Sequence, residues 1–186
     1  MALFLDLSKA FDTIEHSVLI NKLQKYGVRG IPLDFIKNYL SGRSQLVSFN
    51  GRYSELRDIK CGVPQGSILG PFLFSLYIND IYKCAPLLKF FLFADDTSLL
   101  YHSKSLPFLI TILNQELKKL KLWLEINKLT LNLSKTNYII FKNNKPDIPH
   151  DDLVFGDQKI NKVQSVTFWV YLLIPKCLGK AIYKVW

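Results

Sequence analysis

The sequence predicts an α+β fold. Three observations indicate it: an apolar run, Ala2–Leu5, that closes on a carboxylate; strand-like runs paired across tight turns; and a leucine repeat over 106–126. In chain order the predicted elements are strand, helices, hairpin, helix, hairpin, helix and strand. This order is compatible with a ferredoxin-like βαββαβ core that carries an inserted hairpin and added helices.

The first forty residues predict a buried strand and two helices. Ala2–Leu5 is continuously apolar, which is typical of a buried strand. Asp12 and Glu15 stand three residues apart before a helical apolar pattern, so we expect Asp12 to cap that helix and Gly27 to end it. Pro32–Leu40 predicts a second helix, because proline is favoured at the start of a helix.

The next stretch predicts a hairpin followed by an apolar helix. Two strand-like runs, Ser44–Phe49 and Tyr53–Ile59, are separated by Asn50-Gly51, a strong hairpin turn signal. The Gly/Pro-rich loop Cys61–Ser67 then leads into an apolar helix that is expected to run to about Ile81.

The second half of the chain predicts another hairpin and a long helix. Phe90–Ala94 and Thr97–Tyr101 are expected to be strands, with Asp95-Asp96 at their turn. Leucines spaced three and four apart predict an amphipathic helix over 106–126 whose lysines face solvent. Two further segments complete the pattern, a strand over 137–141 and a polar loop over 143–152.

Composition narrows the class of partner. The 186 residues include 24 basic and 15 acidic side chains, a net charge of +9 that favours an anionic partner, most commonly nucleic acid. The sequence contains no apolar stretch long enough to span a membrane. Cys61, Cys84 and Cys177 are odd in number and form no metal-binding spacing. They predict free thiols in a reducing, intracellular compartment, with no disulfide-linked partner and no zinc site.

Three carboxylates stand where apolar strands end. Asp95 and Asp96 follow an apolar run, and adjacent carboxylates in such a place repel each other unless a divalent cation relieves them. The alternative is an ordinary surface turn, which also favours aspartate. Asp6 follows the first strand, so pairing of that strand with the strands around Asp95 would bring the two carboxylates together. The alternative is that Asp6 caps a nearby turn or helix. Three carboxylates together would form a site for two Mg²⁺ ions.

Four strings in order carry a family resemblance. They are Leu5-Asp-Leu-Ser-Lys-Ala-Phe-Asp12, Gly62-Val-Pro-Gln-Gly-Ser-Ile-Leu-Gly-Pro71, Phe93-Ala-Asp-Asp-Thr97 and Leu131-Asn-Leu-Ser-Lys-Thr136. Together they resemble successive motifs of the reverse transcriptases of non-LTR, LINE-like retrotransposons. The resemblance implies a polymerase palm and an RNA-directed DNA polymerase, with an RNA template, a DNA primer and dNTPs as partners.

The resemblance also implies a metal site. Asp6 and Asp95 would bridge two Mg²⁺ ions, Asp96 would support the site, and the backbone carbonyl of Leu7 would join the metal shell.

The resemblance assigns four further residues to the nucleotide. Phe11 matches the aromatic that excludes a 2′-hydroxyl; the alternative is a core aromatic, and the two roles are compatible. Gln65 and Gly66 would border the nucleotide, or else form a plain loop before the helix. Lys135 would donate a proton to the leaving pyrophosphate, or else be a surface lysine.

The chain also departs from the family pattern. The resemblance covers residues 1–168 as a palm that lacks the preceding fingers region. The stretch after 163–167 lacks the glycine of an expected Phe-Leu-Gly turn. Residues 169–186 match nothing expected and are interpreted as a divergent tail that results from a frameshift or from decay of the copy. We therefore expect the chain alone to be inactive or nearly so.

Three rival readings stay open. The first is a catalytically inactive, nucleic-acid-binding remnant of a retrotransposon. The second is an RNA-dependent RNA polymerase, against which Phe11 and the alanine before Asp95 argue. The third is a product that never folds stably. The choice between nucleus and cytoplasm is also open.

Overall fold

A computed structural model describes residues 1–141, 151–168, 171–173 and 183–184, and the chain divides into two compact units. The first unit comprises Met1–Ser8, Asp80–Ile126 and the described part of Thr130–Trp186. The second unit comprises Lys9–Asn79 and Asn127–Leu129.

The elements follow the predicted order. The helices of the described residues are α1 (His16–Lys25), α2 (Ile31–Leu40), α3 (Leu69–Ile78) and α4 (Leu106–Ile126), with a 3₁₀ turn at Ile81–Lys83. The strands are β1 (Ala2–Leu5), β2 (Ser44–Gln45), β3 (Ser48–Phe49), β4 (Arg52–Tyr53), β5 (Arg57–Asp58), β6 (Lys89–Phe93), β7 (Asp96–Leu100), β8 (Asn137–Ile139), β9 (Val154–Phe155), β10 (Gln158–Lys159), β11 (Asn161–Lys162), β12 (Val166–Phe168), β13 (Tyr171–Leu173) and β14 (Tyr183–Lys184). None of the helices in the described ranges has the length and hydropathy of a membrane span.

A five-stranded sheet organises the first unit. Its order is β11-β8-β1-β7-β6, with antiparallel neighbours except for the parallel pair β11–β8. Strand β1 lies in the middle, and all four of its residues are buried, so the predicted buried strand is confirmed. On one face Ala2, Phe4 and Ile139 form an apolar cluster that half-buried Leu100 and Val163 extend.

Helix α4 has the bounds that the leucine repeat predicted. The stripe that it buries consists of Leu109, Leu113, Leu117, Leu120 and Leu124. Glu116 is buried in the same helix, and its carboxylate forms an ion pair with Lys119 one turn later. The remaining lysines lie toward solvent, as an amphipathic helix requires.

Helix α1 begins later than predicted, and Asp12 is not its cap. The residue before the helix is Glu15, which makes no side-chain capping hydrogen bond. Asp12 instead accepts a hydrogen bond of 2.7 Å from Nε2 of Gln65, a residue 53 positions away. The cap prediction was therefore wrong, because a tertiary partner takes the carboxylate. The end of the helix was correct, since Gly27 follows the C-cap Tyr26 with φ +93°.

The hairpin over 44–58 is confirmed, but its two long strands are broken into two short pairs. Asn50 and Gly51 have φ of +48° and +75°, as an Asn-Gly turn requires. Ser48 pairs with Tyr53, whereas Ser44 pairs with Asp58, so the second strand holds one extra residue between the pairs. This is a bulge, and these strand residues are exposed, so no buried face fixes a single register.

The remaining boundaries differ only slightly from the predictions. The second helix is confirmed over Ile31–Leu40. The apolar helix α3 was expected to run to about Ile81 but ends at Ile78. A separate 3₁₀ turn then begins at Ile81. Strand β8 ends at Ile139 instead of Phe141. Residues 142–150, most of the predicted polar loop, lie outside the described residues, as does most of the tail 169–186.

Backbone hydrogen bonds join the loop after the hairpin, at Gly62 and Val63, to the segment before α1. Gly62 N donates to Ile14 O (2.7 Å), and Val63 N donates to Phe11 O (2.9 Å). Gly62 has φ +83°, and a Cβ there would lie 2.7 Å from the backbone oxygen of Asp12. Only glycine therefore permits the two backbones to approach this closely.

We predict that Gly62→Ala lowers the free energy of unfolding by about 2 kcal/mol or more, since a left-handed φ and a backbone collision add. Gly42→Ala is the matched control, because Gly42 also has a positive φ of +64° but open space around it. It should cost about 1 kcal/mol or less. Urea unfolding measures both, and equal losses would contradict the close approach at Gly62.

Candidate active site

Two strand ends meet where the carboxylates stand. Strand β1 pairs antiparallel with β7, so that Leu5 lies opposite Thr97. The same register puts Asp6, the next residue, opposite Asp96, the first residue of β7. The structure thus brings Asp6 beside the acidic hairpin, as the argument from strand ends predicted.

A two-residue turn joins β6 to β7 and contains Asp95, whereas Asp96, which the sequence also placed at the turn, is the first residue of β7. Phe93 pairs with Asp96, which leaves Ala94 and Asp95 as the only residues between the strands. Ala94 has φ +50°, a left-handed conformation that costs a residue with a Cβ about 1–2 kcal/mol. Positive φ at the first turn position is the arrangement in which glycine is favoured. The turn that presents Asp95 is therefore strained, a condition that is common at functional sites.

The three carboxylates influence one another. Burial, followed by the negative charges of Asp95 and Asp6, raises the pKa of Asp96 above its ordinary value of 3.8. Asp95 and Asp96 are both exposed, and Asp6 is half-buried. Negative charge thus accumulates at the end of β1, and within the described residues none of these three carboxylates forms an ion pair.

Backbone contacts fix the position of Asp6. Its amide donates to Oγ1 of the buried Thr136 (3.3 Å), and its carbonyl accepts from the amide of Asn132 (2.8 Å). Lys135, the residue before Thr136, is exposed. The segment 132–136 therefore lies along Asp6 on the side of β1 that faces β8.

The carbonyl of Leu7 is turned away from that segment. Leu7 forms an antiparallel bridge with Leu131, and the bonds that make it run through the neighbouring residues, including Ser8 N to Thr130 O (2.8 Å). When the neighbours make the hydrogen bonds of a bridge, the amide and the carbonyl of the bridging residue itself point away from the partner strand. The Leu7 carbonyl therefore points away from Leu131. That is the side of β1 on which β7 lies.

The carboxylates of Asp6, Asp95 and Asp96 meet the needs of a divalent cation only in part. Among the described residues, no group of three or more His, Cys, Asp or Glu side chains is placed to hold a metal ion by itself. Mg²⁺ needs fewer, because it usually takes one or two carboxylates together with waters and substrate phosphates. The raised pKa of Asp96 shows a surplus of negative charge that a bound cation would relieve.

Phe11 lies in the second unit and packs against another ring. Its ring centroid is 4.9 Å from that of Phe74, with the planes tilted by 43°, and Phe11 is half-buried. The structure thus gives Phe11 the packing contact that the sequence left open.

Gln65 and Gly66 lie in the exposed loop of the second unit. The Gln65 side chain is held by its bond to Asp12. Gly66 has φ +78° and nothing within 4 Å of the position of a Cβ, so a ligand could approach its backbone closely. The partnership of Gln65 with Asp12 was missed, since no local signal links residues so far apart in sequence.

A comparison with protein families identifies the chain. The family described as reverse transcriptase (RNA-dependent DNA polymerase) matches residues 1–169. The chain therefore belongs to the reverse transcriptase family, and the resemblance carried by the four sequence strings is confirmed.

Curated relatives come from mobile elements of the LINE-like type. The RNA-directed DNA polymerase from mobile element jockey of Drosophila melanogaster is 31% identical over 153 residues, or 78% of this chain. The probable RNA-directed DNA polymerase from transposon BS of the same organism is 36% identical over 148 residues, or 73% of this chain. The chain spans only 17% and 16% of the length of these two relatives.

Solved structures share the fold. Apo telomerase from Candida tropicalis matches 98% of this chain with a TM-score of 0.63 and 14% identity, and the match covers 35% of that protein. Telomerase from Candida albicans, solved with a fragment of telomeric RNA, matches 93% of this chain with a TM-score of 0.62 and 15% identity. The match covers 30% of that second protein. These matches confirm the predicted class of fold, which contains both helices and strands.

We predict that Asp96→Asn weakens the pH dependence of stability. Because the pKa of Asp96 is higher in the folded chain than its ordinary 3.8, the folded state binds more protons and loses stability as the pH rises through and above that value. The asparagine variant should therefore lose less stability between about pH 4 and pH 7, and should be more stable than the wild type at neutral pH.

Urea unfolding at several pH values, with a chelator present, measures this effect. Asp157→Asn removes an exposed carboxylate from a different hairpin of the same unit, and should keep the pH dependence of the wild type. Parallel curves for the wild type and Asp96→Asn would contradict the charge coupling.

Proposed function

We propose that the chain is the palm portion of an RNA-directed DNA polymerase of a LINE-like element, which transfers dNMP from dNTP to a primer 3′-hydroxyl on an RNA template. One observation carries the proposal. In a member of the reverse transcriptase family, the β1–β7 register sets Asp6 opposite the acidic hairpin Asp95-Asp96.

The core of the palm is interpreted as ferredoxin-like. Taking β1, β6, β7 and β8 as its four strands, the spatial order β8-β1-β7-β6 with antiparallel neighbours supports a βαββαβ arrangement. Strands β2–β5 then belong to the inserted hairpin.

The carboxylates would hold two Mg²⁺ ions. Asp6 and Asp95 would each be a ligand of both ions, and Asp96 would add negative charge. The Leu7 carbonyl points to the side of β1 on which β7 and Asp96 lie. When bound, such ions supply the charge that lowers the pKa of the primer hydroxyl and neutralises the leaving pyrophosphate. The chain's own contribution is placement, since the amides and carbonyls around Asp6 hold it in register.

Nucleotide recognition is assigned to four side chains or backbone groups. Phe11 would exclude a 2′-hydroxyl, and the same ring packs against Phe74. Gln65 and Gly66 would border the incoming nucleotide. Lys135, exposed and close in sequence to the anchor of Asp6, would donate a proton to pyrophosphate.

The whole reaction needs more than this chain. The chain spans about a sixth of its curated relatives, so the expectation of little or no activity in isolation stands. The RNA template, DNA primer and dNTP are proposed partners on the strength of family membership. The proposed place of action is inside the cell, where these partners occur.

We predict that Asp95→Asn lowers primer extension by on the order of a hundred-fold or more, since removing a charged group aimed at the transition state costs that much. The affinity for RNA should change little, because the substitution leaves the lysine and arginine side chains of the chain unaltered. The assay uses Mg²⁺, dNTPs and an RNA-templated DNA primer, with the longest protein that the reading frame encodes alongside the 186-residue chain.

Asp157→Asn is the control for this substitution, since it makes the same change in charge away from the strand ends. Undiminished extension by Asp95→Asn would refute the proposed function. Vigorous extension by the 186-residue chain itself would instead refute the expectation that it is inactive alone.

We predict that Phe11→Ala raises the use of NTP relative to dNTP by about ten-fold or more, because the pocket gains room for a hydroxyl. Phe74→Ala removes the same ring contact from the other side, and should lower stability while leaving the preference for dNTP in place. Extension assays with either nucleotide class give the ratio. An unchanged ratio in Phe11→Ala would leave the ring with a packing role alone.

A further inference from the structure

One peptide group in the loop after the hairpin is held at both of its ends. It is the peptide between Gly62 and Val63. Its carbonyl, the oxygen of Gly62, accepts a hydrogen bond of 2.7 Å from Nε2 of His16. Its amide, the nitrogen of Val63, donates to the carbonyl of Phe11 (2.9 Å). This peptide therefore joins the first residue of α1 to the backbone of the ring that is proposed to select the sugar.

The bond from His16 defines where the ring carries its proton. A carbonyl oxygen can only accept, so Nε2 of His16 must carry a hydrogen. The ring is half-buried and stands on the first turn of a ten-residue helix, 46 positions away from Gly62 in sequence. A side chain mounted on a helix places its donor more precisely than one on a loop. The bond is thus directional and comes from a rigid base.

Glycine at position 62 makes such a restraint necessary. Its close approach to Asp12 excludes a Cβ, and its φ is +83°. Without a Cβ, the adjacent peptide groups rotate more freely than they do beside other residues. Gly62 and Val63 are both buried, and a buried carbonyl without a partner is unfavourable. Loss of the His16 donor therefore favours rotation of the peptide, which would also break the bond from Val63 to Phe11.

The peptide stands beside the residues assigned to the nucleotide. Gln65 and Gly66 follow it in the same loop, and the Gln65 side chain is held separately by Asp12 (2.7 Å). On the other side the peptide bonds to the backbone of Phe11, whose ring packs on Phe74. His16 is not among the residues proposed to touch the nucleotide. Its influence on selection therefore passes through the backbone.

We propose that His16 is a positioning residue for nucleotide selection. By donating to the Gly62 carbonyl it holds the 62–63 peptide, and through that peptide the backbone of Phe11, in the arrangement that favours dNTP over NTP. The inference deepens the proposed function and rests on it for the identity of the nucleotide. A contact that only stabilises the second unit is the competing outcome of the experiments.

The first measurement needs no substitution that could disturb folding. The nitrogen spectrum of the histidine rings in the ¹⁵N-labelled chain reports which ring nitrogen carries a hydrogen. We expect Nε2 of His16 to be protonated at neutral pH, and the signal is assigned by its loss in His16→Gln. A neutral ring with its hydrogen on Nδ1 cannot make the bond and would overturn the proposal.

The second measurement is hydrogen exchange at the Val63 amide in the same chain. His16→Leu removes the donor at similar volume and should speed this exchange on the order of ten-fold, because the peptide is released. His16→Gln keeps an N–H donor at the same number of bonds from the backbone and should retain the wild-type rate. The reference is the amide of Val28, which donates to Leu23 (3.0 Å) at the far end of α1 in the same unit.

Each result of the exchange experiment decides the matter. Faster exchange at Val63 alone, reversed in the glutamine variant, supports the proposal. Equal acceleration of Val63 and Val28 indicates general destabilisation and overturns it, as does an unchanged Val63 rate. If His16→Leu does not fold, the ring tautomer and the His16→Gln rate decide instead, and fast exchange in His16→Gln contradicts the role of the donor.

The third measurement is single-nucleotide primer extension by the longest protein that the reading frame encodes. His16→Leu should raise KM for dNTP more than it lowers kcat, and should lower the preference for dNTP over NTP by roughly three-fold or more, because a displaced selecting group discriminates less well. His16→Gln should restore both quantities. His102→Leu, a change at an exposed histidine of the first unit, is the matched control and should alter neither.

A purely structural role gives a different kinetic pattern. It lowers the fraction of active protein, so kcat falls while KM and the dNTP preference stay unchanged. That pattern in His16→Leu would overturn the proposal. The proposed function fails separately, on undiminished primer extension by Asp95→Asn.

Discussion

Strand β1 is hydrogen-bonded on both sides, and the candidate site depends on that double pairing. On one side Leu5 meets Thr97 in β7, and on the other Phe4 meets Asn137 in β8. The position of Asp6, the direction of the Leu7 carbonyl and the course of the segment before β8 all follow from these two registers. A slip of one residue would turn every side chain of β1 to the opposite face of the sheet and would move Asp6 away from its place beside Asp96. The hydrophobic burial of Ala2–Leu5 therefore also holds the carboxylate that follows.

Each unit of the chain, taken by itself, concentrates charge of one sign. The first unit gathers Asp6, Asp95 and Asp96 at one strand end, where burial and then like charge raise the pKa of Asp96. In the second unit Lys9, Arg43 and Lys60 line a cavity, and none of them forms an ion pair with another residue that the structure describes. Neither arrangement favours folding, because both concentrate charge that is not compensated internally. Such arrangements are expected where ligands of opposite charge complete the electrostatics.

Local signals predicted most elements, and failures occurred where distant residues intervened. The Asn50-Gly51 turn and the helix over 106–126 are decided by nearby residues, and both were correct. Asp12 had a good local reason to cap a helix, yet Gln65 competes for its carboxylate from a remote loop. The meeting of Asp6 with the acidic hairpin was predictable because both close apolar strands. The cavity was not, since its wall comes from separate segments that only the tertiary fold brings together.

The way in which Asp6 is held also bears on how far such a sequence can diverge. Its anchors are a backbone ladder, one threonine hydroxyl and the amides of a following segment, and most of these contacts do not depend on side-chain identity. Residues along β1 and β7 can therefore be exchanged for others of similar volume without moving the carboxylates. This tolerance accounts physically for a fold shared with telomerases at only 14% identity. A position such as Gly62, where two backbones touch, has no such tolerance, because a Cβ there would collide with the backbone of Asp12.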